Sequence, residues 1–63
     1  MTEADRLRAR IADVNVRIAG QRTLLAELGE AGFPTELARE LLARLIEIRD
    51  TYCETLSRSE PPA

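Results

Sequence analysis

The chain has no histidine, no lysine and no tryptophan, and its one cysteine is Cys53. Without histidine it lacks the side chain best suited to proton transfer near neutral pH, and without lysine it cannot form a Schiff base. Ser57 and Ser59 have no candidate base beside them. The eleven carboxylates of this 63-residue chain have no evident pocket in which a pair would be desolvated. No histidine and one cysteine leave no zinc or transition-metal ligand set, and a single cysteine cannot close an internal disulfide. The expectation is a protein that is not an enzyme and takes no cofactor and no metal.

Large apolar side chains are also few. Aromatics make up 3% of the chain, as Phe33 and Tyr52. Of 28 apolar residues nine are alanine and only 15 are Val, Ile or Leu. A single core in a chain below about 70–80 residues seldom supplies more than ~3–5 kcal/mol. With disulfide and metal excluded, association is the remaining source of stability. The start, Met1-Thr2-Glu3-Ala4-Asp5, is charged and leads into no apolar run, so neither a secretory signal nor a membrane span is expected. A lone thiol suits a reducing compartment, and the expected location is cytoplasmic. All nine basic residues are arginine, a bias read as codon usage before design. A net charge of −2 and a pI near 5.0 argue against a protein held on nucleic acid by bulk electrostatics.

What is present is helical pattern. Ala4, Leu7, Ile11, Val14, Ile18, Gln21, Leu25 and Leu28 step alternately by three and four, a heptad seam with one polar member. Thr2 is placed to cap this helix, with Asp5 in the capping-box position. The spacing predicts a first helix over about 3–30, a turn over 31–35 and a second helix over about 36–57. In the turn, Gly32 suits the left-handed residue that closes a helix, which makes Leu28 and Phe33 the flanking pair of a Schellman motif, and Gly29 is an alternative stop about three residues earlier. Pro34 cannot continue the helix, and Thr35 can cap the next one. In the second helix Leu37, Leu41, Leu45, Ile48, Tyr52 and Leu56 form the expected main face, widened by Leu42, Ile46 and Cys53. Residues 59–63 read as a disordered tail, since Pro61 and Pro62 forbid helix and nothing apolar anchors them.

A short turn between long helices makes an antiparallel hairpin. The expected fold is therefore all-α: a two-helix hairpin over residues 1–58 that dimerises into a four-helix bundle, as a homodimer of C₂ symmetry. The expected core and interface residues are Leu7, Ile11, Val14, Ile18, Gln21, Leu25, Leu28, Leu41, Leu42, Leu45, Ile46, Ile48 and Tyr52. Leu42 and Ile46, with Leu24, fall on the half of the stripe that a lone hairpin leaves wet. Acid–base pairs at helical spacing, Asp13/Arg17, Glu36/Arg39, Glu40/Arg44 and Glu54/Arg58, read as solvated faces.

Some residues admit two readings. Gln21 either fixes register in the seam or lets the bundle open to water. Cys53 reads as a small buried hydrophobe sooner than as a redox site, with Arg49 the one basic residue at helical spacing. Ala9, Ala12, Val16, Ala19, Thr23 and Ala26 form a row of small residues opposite the seam, either a close-approach face or good helix formers in water. Arg6, Arg8, Arg10, Arg17 and Arg22 carry the first helix's positive charge without forming one row: Arg10 and Arg17 flank one edge of the seam and Arg8 and Arg22 the other, where such charges shield it. In a dimer with first helices side by side they would form a paired basic surface. That resembles, in architecture and length only, the small plasmid-encoded helical-hairpin regulators that bind paired RNA loops. The partners expected are a second copy or another helical protein, working through the apolar face as an interaction or regulatory protein or as a subunit of a larger assembly.

The run from Arg17-Ile18 through Gln21-Arg22 and Leu24-Leu25 to Leu28, then Gly32 to Thr35 and Ala38 to Leu41-Leu42, is similar to a class of short, uncharacterised bacterial helical-hairpin proteins. The resemblance covers residues 17–42 best and implies a helical hairpin with no established activity. Members carry histidine near the turn, and this chain has none.

Overall fold

The computed structural model describes residues 1–59. They form α1, Glu3–Glu30, and α2, Glu36–Ser59, packed against each other as a hairpin 48 × 17 × 16 Å in extent. Among the described residues no helix is long and apolar enough to cross a membrane.

Both ends of α1 are built by local chemistry. The Asp5 amide donates to Thr2 Oγ1 and the Thr2 amide donates to Asp5 Oδ2, each at 3.1 Å, closing a reciprocal capping box. The Thr2 hydrogen bonds, backbone first, hold the Asp5 carboxyl below its ordinary pKa, with Arg8 adding to the effect. At the other end Gly32 takes φ +78°. The Phe33 amide donates to the Leu28 carbonyl at 2.9 Å and the Gly32 amide to the Gly29 carbonyl at 3.2 Å, the two bonds of a Schellman motif. Thr35 opens α2, its carbonyl accepting the Arg39 amide at 2.9 Å.

α2 runs two residues beyond the expected Ser57, and the Ser59 hydroxyl donates back to the Thr55 carbonyl at 3.0 Å. The expected tail therefore does not begin at Ser59, and its remaining residues, 60–63, lie outside the described ones.

The α1 seam faces α2 along its length: Leu7, Val14 and Ile18 are buried, and Ala4, Ile11, Gln21, Leu25 and Leu28 are half-buried. The phase of α2 differs from the expected one. Its inward row is Ala38, Leu42, Leu45, Arg49, Tyr52 and Leu56, with Ala38 the only residue of α2 that is buried. Leu37, Leu41 and Ile48, expected on the main face, are instead exposed, while Leu42 and Ile46, expected on the wet half, are half-buried. The reason is a close approach at the turn end, where Gln21 Nε2 donates to the Ala38 carbonyl at 3.2 Å. Only a small residue at that point of α2 admits the amide, and this turns α2 so that Ala38 faces inward.

Candidate functional site

Every side chain of the described core keeps some exposure. The most enclosed is Ile18 at 3%, and none falls below 2%. Burial between the two helices is thus narrow; of the large apolar side chains left exposed, Met1 precedes α1, Val16 lies on α1 and Phe33 in the turn, while three lie along one edge of α2. Leu37 is 81% exposed, Leu41 48% and Ile48 42%. These steps of four and seven keep the three on one side of the helix. Antiparallel right-handed helices place this edge on the same side of the hairpin as Leu24 of α1, itself 44% exposed.

Two shallow depressions mark the edge. One is lined by Leu37, Glu40, Leu41 and Arg44, the other by Glu47, Ile48, Thr51 and Tyr52. Both are too open to shelter a reaction from water. The first has the i, i+3, i+4, i+7 outline of a socket that accepts a side chain from a facing helix, and the second spans i, i+1, i+4 and i+5 on the same edge. The hydroxyl of Thr51 is engaged by the Glu47 carbonyl at 3.0 Å, so Thr51 adds no unpaired polar group to the second socket.

Charged groups lie around the apolar edge. Arg17 meets Asp13 at 3.4 Å and Arg58 meets Glu54 at 2.6 Å, two of the four pairs expected from spacing. Glu36/Arg39 and Glu40/Arg44 do not close, while Arg8 with Asp5 at 3.6 Å and Arg49 with Asp50 at 3.3 Å do. Pairs this exposed contribute about 0–1 kcal/mol each and fix no site. Glu40 and Arg44 line the first socket together with Leu37 and Leu41.

Of the residues read from sequence as core or interface, Leu7, Val14 and Ile18 are buried. Ile11, Gln21, Leu25, Leu28, Leu42, Leu45, Ile46 and Tyr52 are half-buried, and Leu41 and Ile48 are exposed. Cys53, read as a buried hydrophobe, is exposed. The row from Ala9 to Ala26 is exposed throughout, with Val16 at 72%. Sequence reasoning missed Ala38 and the seam position of Arg49. The available signal for Ala38 was a small residue one turn into α2, opposite a polar seam position on α1. Among the described residues no three His, Cys, Asp or Glu side chains converge on a metal-sized site.

Comparison with protein-family models, with curated proteins and with solved structures finds no match for this chain.

Proposed function

We propose that this chain is a small, non-enzymatic helical interaction protein that works through the apolar edge of α2, and that its partner is a second copy in a homodimeric four-helix bundle. The observation that carries this reading is the row Leu37, Leu41 and Ile48, held in water at 81%, 48% and 42% exposure on one side of one helix. Full burial of a Leu or Ile contributes about 1.5–3 kcal/mol, so the exposed fractions hold about 3–5 kcal/mol per copy in reserve. That is as much as the whole core of so small a chain supplies. The chain also exposes 4949 Å², more than the about 4,000 Å² of a compact 7.0 kDa monomer, as its elongated 48 × 17 × 16 Å shape dictates.

The test is mass by light scattering over a wide dilution series, with Leu41→Glu alongside. Wild type at twice the chain mass, with Leu41→Glu at the single mass and still helical by circular dichroism, supports the reading. A wild-type chain that stays monomeric throughout and melts cooperatively overturns it.

A further inference from the structure

The edge of α2 is its own complement, and this fixes how two copies meet. Reversing α2 about the point between Arg44 and Leu45 sends Leu41 onto the level of Ile48 and Leu37 onto the level of Tyr52. It also brings each socket to within one residue of the other's level. The first is centred between Glu40 and Leu41, and the second between Arg49 and Asp50. Under that reversal Ile48 lands half a residue from the centre of the first socket, and Leu41 lands one and a half residues from the centre of the second, about 2 Å at ~1.5 Å per residue.

We infer that, within the self-association proposed above, α2 packs antiparallel on α2 of a second copy about a dyad passing between Arg44 and Leu45. Ile48 of each copy enters the socket of Leu37, Glu40, Leu41 and Arg44 on the other, and Leu41 enters the socket of Glu47, Ile48, Thr51 and Tyr52. The contact is isologous, so it closes at two copies and exposes no further sticky edge.

Charge agrees with this register. Each Arg44 comes within two residues' rise, about 3 Å along the axis, of Glu47 of the second copy, which offsets the approach of the two arginines at the dyad. The Gln21–Ala38 hydrogen bond sets the level of α1 against α2. Carried through the same dyad, it brings Arg17 within one residue's rise of Asp13 of the second copy. The edge is flanked by Glu40 and Glu47, which suits a copy carrying Arg44 and disfavours an anionic lipid surface.

Cysteine cross-linking in a Cys53→Ser background tests the register. With helix axes about 8–10 Å apart and Cα atoms at ~2.3 Å radius, the two copies of position 44 lie about 4–6 Å apart, a span that overlaps the ~4.4–6.8 Å range of a disulfide. The two copies of position 51 lie about 20 Å apart along the axis. Arg44→Cys is therefore expected to form a covalent dimer under mild oxidation, running at doubled mass on a non-reducing gel, while Thr51→Cys stays single. Both positions are exposed, so neither change threatens the fold. A chain that is dimeric by light scattering yet leaves Arg44→Cys uncoupled, or couples Thr51→Cys as readily, overturns this register and leaves the interaction reading standing. A chain that is monomeric at every concentration overturns both.

Discussion

Gln21 of α1 gives its side-chain amide to the main-chain carbonyl of Ala38 in α2 at 3.2 Å, spanning 17 positions of sequence and pinning the helices at one level near the turn. The Ala38 carbonyl also lies within the α2 helical ladder, so losing the amide orphans no acceptor. Gln21→Ala removes the bond and the stem that packs behind it, and is expected to cost about 1–2 kcal/mol in a urea titration. Gln21→Leu keeps the volume and adds apolar contact in the seam. It is expected to match or exceed wild-type stability. A Leu variant as unstable as the Ala variant would show that the amide, not the packing, holds the two helices together.

Two glycines of α1 and its turn predict opposite signs. Gly32 sits at φ +78°, where a Cβ meets its own backbone although no neighbour is within 4 Å. Gly32→Ala is expected to lower stability by about 1–2 kcal/mol. Gly20 lies within α1 with open space around it and no positive φ. Gly20→Ala is expected to raise stability by about 0.5–1 kcal/mol, through the backbone entropy that glycine loses on helix formation. Thermal melts of the two variants beside wild type check both signs at once.

The first helix and its ends were legible in the sequence because each signal there was local and unambiguous. A strict alternation of three and four from Ala4 to Leu28 admits one inward face, and Thr2 with Asp5, and Gly32 with Phe33, are caps whose chemistry dictates geometry. The second helix was legible in extent but not in phase. Its apolar residues from Leu37 to Leu56 spread over both flanks of the seam, so hydrophobicity alone chose the row with the largest side chains. Packing chose the neighbouring row instead, because Ala38 lets α2 approach Gln21 and a leucine there would hold it off. Arg49 in that row is charged, and hydrophobic pattern does not select it. Its stem lies at the seam while its guanidinium turns out to Asp50, as long basic side chains commonly do. The apolar edge was foreseen as a quantity of surface, and only the phase shows which residues compose it.

Acid is expected to loosen the start of α1. The folded Asp5 carboxyl titrates below its unfolded value of about 3.9, so the capping box adds its full stability above that value. As pH falls through the depressed folded value, the carboxylate protonates and that contribution is lost. Amide-exchange protection in the first turn of α1 should therefore fall in wild type as pH is lowered into this range. Asp5→Asn should lack the added acid step, because it carries no carboxylate to protonate. The difference between the two chains isolates the cap from the other carboxylates. An identical pH profile in both would assign the acid sensitivity elsewhere.

The contrast between Ile18 and Leu37 separates the core from the edge. Ile18 is 3% exposed and Leu37 is 81% exposed. Ile18→Ala opens the centre of the seam and is expected to cost about 2–5 kcal/mol, enough to unfold a hairpin with so small a core. Leu37→Ala removes almost nothing from a single copy, where exposed substitutions stay within about 0.5 kcal/mol. Its effect should appear only with association, because a partner that binds the folded chain raises Tm in proportion to the logarithm of its free concentration. Wild type is accordingly expected to melt higher as it is concentrated. Leu37→Ala should match wild type when dilute and fall behind it when concentrated. A Leu37→Ala chain that tracks wild type at every concentration would remove Leu37 from the interface. If the Tm of wild type itself ignores concentration, the apolar edge of α2 is not covered by a second copy.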